Sequence, residues 1–222
     1  MHKLAPSKNK NMKNLIPPFN ADRQLKSTLS STMWADSNDF LKRVNLLMAD
    51  LDLLSTSYLS KIYVDILMSI ESSLKALIIA LSDKNETPED AYRTARSKSH
   101  RIDQLYAEVE RRAFRRIKLL NQKDKDELLN NAIKIKVSNR YRLVTLSQIR
   151  SDGIARHWGG GQYSNLINYD YLLKLSEIAF KLKSISLTGN KRYMDRQGMN
   201  GVNLGKYDQR FQDFHTNLNG RI

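Results

Sequence analysis

The chain has 222 residues, 41% of them hydrophobic, which is enough for one substantial domain with tails or two small ones, and for a buried core. Cysteine is absent, so disulfide frameworks, Cys-based zinc sites and thiol nucleophiles are excluded; this fits a reducing compartment, and the cytoplasm is the expected location. Lys and Arg number 37 against 23 acids, and the resulting formal charge of +14 attracts phosphate polyanions, which puts nucleic acid ahead of a basic surface with no specific target.

The opening "MHKLAPSKNKNMKNLIPPFN" holds lysines and prolines but no continuous apolar run, so it does not read as a secretory signal. Residues 1–33 are expected to be a mobile basic arm, with Lys3, Lys8, Lys10, Lys13, Arg23 and Lys26 against the single acid Asp22. From Ser37 the pattern turns helical: Phe40, Val44, Leu47, Met48, Leu51 and Leu54 fall on one stripe. A second helix is predicted over 57–82, and its last third is apolar nearly all round, which suits the centre of a bundle. Its greasiest part, "LKALIIAL" (Leu74 to Leu81), is far short of the roughly 20 residues a bilayer span requires, so no membrane partner is expected.

"TPED" (Thr87 to Asp90) is a helix start, with Thr87 as N-cap, Pro88 in the first helical position and acids facing the positive end of the macrodipole. Ser99 is a candidate cap for the next helix, which carries Ile102, Leu105, Tyr106, Val109, Ala113, Phe114 and Ile117 at three- and four-residue steps. Its other face holds Arg101, Arg111, Arg112, Arg115, Arg116 and Lys118, the candidate RNA-binding residues. Further helices are predicted at 123–137, 139–150 and 165–186, the last with Leu166, Tyr169, Leu172, Leu173, Ile178, Ala179 and Leu182 as its stripe. "KIKVSNRYRLVTL" is β-branched enough for a strand, but no partner strand is evident and it is read as helix. From Thr188 onward Gly and Asn punctuate what reads as a loop-rich tail, with a short helix near Gln209 to His215. The expected architecture is thus an all-α, antiparallel helical bundle over 34–187, between the basic arm and a loop-rich tail at 188–222.

No Walker or dinucleotide phosphate loop is present, since the one glycine cluster, Gly159 to Gly161, lacks the lysine such loops use. The four histidines include no i,i+4 pair, so neither a metal nor any other cofactor is expected. Two Arg and His pairs remain, Arg93 with His100 and Arg150 with His157. On a continuous helix a seven-residue step puts both side chains on one face, about 10 Å apart along the axis. A base of near-neutral pKa and a fixed guanidinium are what metal-independent RNA cleavage needs, the first to take the ribose 2′-hydroxyl proton and the second to hold charge growing on the phosphorane. The competing reading of each pair is a basic surface, or a histidine at a helix C-terminus favoured by the dipole.

Three segments, in order, resemble the HEPN (higher eukaryotes and prokaryotes nucleotide-binding) domain family. "SIESSLKALIIALS" (Ser69 to Ser82) is similar to its first conserved helix, with Glu71 one turn before Leu74 and Lys75; "KSHRIDQLY" (Lys98 to Tyr106) looks like the segment that opens its next long helix; and "IRSDGIARHW" (Ile149 to Trp158) resembles its Arg and His signature. The resemblance covers roughly residues 40–187. It departs from the family in having Ser151, then Asp152, directly after Arg150, and Gly153 in a stretch the family keeps helical. It implies a bundle that dimerises so that both Arg and His pairs meet in one cleft. It also implies an endoribonuclease with a toxin or antiviral role and, as partner, an antitoxin or a nucleotidyltransferase. On this reading His157 is the general base, Arg150 stabilises the phosphorane, Ser151 and Asp152 orient, and the product is a 2′,3′-cyclic phosphate.

Other residues are secondary candidates. His100 stands where the family places a structural histidine, so Arg93 and His100 come second to Arg150 and His157. Glu71, a carboxylate inside an apolar helix, needs a partner, and Arg150 or His157 is the natural one. Tyr163, with Tyr169 and Tyr171, could stack on bases, although tyrosines at helical spacing are more often core or interface. The alternatives to catalysis are an RNA- or nucleotide-binding helical module whose Arg and His hold phosphate, and a helical structural or interaction protein.

Overall fold

The structure is a computed structural model that describes residues 20–49, 56–114, 116–132, 169–195 and 204–219. Its helices are α1 (Ala21–Ala49), α2 (Thr56–Ala80), α3 (Pro88–Ser97), α4 (Ile102–Ala113), α5 (Gln122–Glu127), which runs into a π turn at Leu128–Ala132, α6 (Tyr169–Asp195) and α7 (Leu204–Asn219). No strand occurs among the described residues. The chain is an all-α helical bundle, as its periodicity predicts.

α2 is the centre because its C-terminal half is apolar on every side. Ile62, Tyr63, Ile66, Leu67, Ile70, Leu74, Leu77, Ile78 and Ile79 are all buried, and α1, α3, α4 and α6 each pack on it. The register of side-chain contacts fixes the directions. Ser30 reaches Ala76, Ser37 reaches Ser69 and Ser73, and Arg43 reaches Asp65, so α1 and α2 are antiparallel. Ser27 meets Asn190 and Asn38 meets Lys183, so α6 is antiparallel to α1 and therefore parallel to α2.

The first helix starts at Ala21, not Ser37, so residues 21–33 belong to the bundle and not to an arm. Asn20 caps it by accepting the Arg23 N–H at 2.9 Å, and Leu25, Lys26, Ser27 and Ser30 are buried. Apolar periodicity misses this half because its inner face is largely serine. Ser27, Ser30 and Ser37 each hydrogen-bond within the interfaces of α1 with α2 and α6, where small side chains let the helices approach. Lys26, counted above as an arm charge, is 2% exposed and donates to the Asp83 carbonyl at 2.9 Å; burial holds its ammonium below the usual lysine range.

The predicted loop-rich tail is also largely helical. α6 runs through Gly189, where an added Cβ would stand 3.3 Å from the Leu77 Cδ2, so the glycine marks close packing on α2 and not a loop. α7 lies across α1 and α3. Phe214 is buried edge-on to Tyr92, and Arg210 grips the buried Glu89 with two bonds of 2.6 and 2.7 Å while its Nε reaches Asp22. That fork holds the Glu89 carboxyl below its usual range.

Candidate functional site

Thr87, Pro88 and the acids behind them start α3 as the sequence predicts, with the Thr87 hydroxyl accepting the Asp90 N–H. The helix ends at Ser97, and Ser99 takes a left-handed conformation (φ 48°) in the turn that follows. Ser99 therefore does not cap α4; Arg101 occupies that position without a side-chain bond. The break also removes the continuous helix between Arg93 and His100 on which a shared face depended.

That turn carries His100 back against α2. Its Nδ1 lies 2.9 and 3.1 Å from the two carboxylate oxygens of Glu71, which is 2% exposed, and the Lys75 ammonium donates to the same carboxylate at 2.7 Å. Among the described residues the partners of Glu71 include Lys75 and His100; Arg150 and His157, the partners expected above, lie outside them. A carboxylate against Nδ1 fixes the imidazole, and when Nδ1 carries the proton the Nε2 lone pair is the basic one.

These groups line an open cleft of about 570 Å³ between α1, α2 and α3. Met33, Phe40 and Met68 give it apolar surface; Arg43 and Arg96 bring further cations, and Asp36 and Asp39 stand on the α1 side. Burial, and then the neighbouring Asp39, holds the Asp36 carboxyl above its usual range. Arg93 is not part of the cleft lining: it pairs with Asp90 at 3.0 Å, and the arginine one turn before His100 is Arg96. Sequence spacing does not single out Arg96, because its place beside His100 depends on the turn at Ser99 and not on a shared helical face.

The expected basic face between Arg101 and Lys118 is not one helical face, because α4 ends at Ala113. Arg112 points inward, 8% exposed, and bonds Glu86, Glu108 and the Ile78 carbonyl at 2.6 to 3.2 Å. Arg111 pairs with Glu108, Arg116 with Asp83 and the Leu81 carbonyl, and Arg101 sits against the Gln104 amide. The Arg111 guanidinium, ahead of that of Arg112, brings the Glu108 carboxyl down to about 2. Lys118 lines a separate groove with Leu120, Phe180 and Ile185. Arg115 lies outside the described residues.

So do Arg150, Ser151, Asp152, His157 and Tyr163, together with the helices predicted over 139–150 and at the start of 165–186. Tyr169 and Tyr171 are half-buried against the core, and burial pushes the Tyr171 hydroxyl up to about 12. Among the described residues no group of three or more His, Asp or Glu could hold a metal ion, and no helix is long and apolar enough to cross a membrane. Comparison with protein-family models, curated proteins and solved structures returns no match.

Proposed function

We propose that the chain is a metal-independent endoribonuclease of HEPN type. The observation that carries this reading is the hydrogen-bonded cluster of Glu71, Lys75 and His100: two of the three segments of the resemblance, 29 positions apart, meet around one buried carboxylate at a cleft. The third segment supplies the proposed chemistry. His157 takes the ribose 2′-hydroxyl proton, the freed oxygen attacks the adjacent phosphorus, and the bond to the 5′ oxygen breaks as that oxygen gains a proton. Arg150 holds the charge on the phosphorane, and Ser151 and Asp152 orient the pair. The products are a 2′,3′-cyclic phosphate and a 5′-hydroxyl. A symmetric homodimer brings two such pairs to one cleft, and a toxin or defence role, held in check by an antitoxin or a nucleotidyltransferase, is the proposed setting.

RNA cleavage by the full chain in EDTA tests this. His157→Ala is expected to lower the rate by about 10²- to 10⁴-fold, the usual contribution of a positioned base, with an unchanged melting curve. Arg150→Lys is expected to fail nearly as badly, because an ammonium keeps the charge but loses the planar fork. Arg93→Ala, whose side chain is held by Asp90 away from the cleft, should cleave at the parent rate. Full activity in both His157→Ala and Arg150→Lys would contradict the assignment.

A further inference from the structure

We infer that the cleft between α1, α2 and α3 is a phosphate-binding site in which Arg96, Lys75 and His100 grip the anion and Glu71 holds two of them in place until it arrives. It rests on residues of α1, α2 and α3 and the turn at His100, and stands whether or not the 150–157 segment cleaves RNA.

Charge is unevenly distributed along the cleft wall. One buried carboxylate, Glu71, lies against both the Lys75 ammonium and the His100 ring, so a single acid is shared between a cation and a group that becomes one when protonated. Lys75 gives one of its three ammonium hydrogens to Glu71. Arg96 adds a full charge four residues before His100. Its guanidinium rests over the Tyr92 ring at 5.7 Å and, among the described residues, has no carboxylate partner, whereas Arg43, Arg93, Arg111, Arg112, Arg116 and Arg210 each have one.

On the opposite wall Asp39 is matched by Lys42 at 2.9 Å and Arg43 by Asp65, while Asp36 adds an acid, so the cations of the cleft lie in excess on the α2 and α3 side alone. An anion with several acceptor oxygens suits that side, because it can take bonds from a guanidinium fork, an ammonium and, when both ring nitrogens carry protons, the His100 Nε2–H at once. A phosphate group has this chemistry. The cleft's volume and its Met33, Phe40 and Met68 surface leave room for an organic moiety beyond the phosphate. The phosphate has two sources, a free or terminal monoester and the diester backbone of RNA.

Two substitutions act in opposite directions. Arg96 is exposed, so Arg96→Ala carries no folding risk, and loss of its charge-assisted bonds is expected to weaken phosphate binding by about tenfold or more. Glu71→Gln keeps the shape and an acceptor for Lys75 but removes the competing negative charge. It should tighten binding several-fold, with its melting curve recorded to confirm the fold.

The full chain is titrated calorimetrically at low ionic strength with inorganic phosphate, a nucleoside 5′-monophosphate, and two RNA oligonucleotides that differ only in a 5′-phosphate. Binding of the monoester and the 5′-phosphorylated oligonucleotide alone assigns the site to terminal phosphates; equal binding of both oligonucleotides, lost in Arg96→Ala, assigns it to the backbone. No phosphate binding by the parent at millimolar concentration, or the same affinity in Arg96→Ala as in the parent, overturns the inference. Loss of cleavage in His157→Ala with phosphate binding intact would separate this site from the proposed reaction.

Discussion

Arg112 shows how a residue that reads as surface charge becomes part of the core. Its side chain, 6% exposed, bonds both Glu86 and Glu108, and truncation would take that cation from two largely buried carboxylates. Arg112→Ala is therefore expected to cost about 3–5 kcal/mol, the range for removing one member of a buried pair, and denaturant unfolding measures it. The same network predicts a pH dependence. The Glu108 carboxyl titrates at about 2 in the folded chain against 4.5 for an unperturbed glutamate. A depressed folded value means that its stabilisation is complete above pH 4.5 and is lost as pH falls from there toward 2. Glu108→Gln should flatten the acid limb of the unfolding midpoint across that window; an unchanged limb would show that the pairing contributes nothing. No such role could be read from the sequence, because alternation of charge on a helix says nothing about which arginine turns inward.

At the level of elements, legibility followed the chemistry of the buried face. α2 could be read because its core positions are Leu and Ile, and α3 because Thr87 and Pro88 are local signals that need no tertiary context. The first half of α1 could not, because its buried face is a serine seam that hydropathy scores as solvent-exposed. Gly189 and Asn190 similarly read as a loop, although one permits close approach to α2 and the other is bonded to Ser27 and Ser31. The seam makes its own prediction. Ser37 shares hydrogen bonds of 2.8 and 2.7 Å with Ser69 and Ser73, so Ser37→Ala leaves two buried hydroxyls a partner short and should cost about 1–3 kcal/mol. A midpoint equal to the parent's would mean that the two remaining hydroxyls satisfy each other. Of the candidate site, Glu71 could be singled out from sequence as a carboxylate in an apolar helix. Its pairing with His100 could not, since it depends on the left-handed turn at Ser99.

Across the whole molecule, the net charge of +14 already sets every acid against a base, and several arginines supply none of the excess. Arg111, Arg112, Arg116 and Arg210 are each matched by acids, and Lys26 is buried. Cations already held by carboxylates release fewer counterions when they meet RNA. Deleting residues 1–19, which removes Lys3, Lys8, Lys10 and Lys13 but leaves α1 and its Asn20 cap whole, should therefore flatten the dependence of log K on log salt. An unchanged slope would mean that these lysines do not touch RNA. The central claim is metal-free cleavage of RNA through its own 2′-hydroxyl, and it is tested most directly by the ends of the products. An oligoribonucleotide incubated with the full chain in EDTA should yield 2′,3′-cyclic phosphate and 5′-hydroxyl ends, and a single 2′-deoxy substitution on the 5′ side of the cut should block it. Equal cutting of the deoxy-substituted strand, 5′-phosphate products, or no cleavage without a divalent cation would contradict the account.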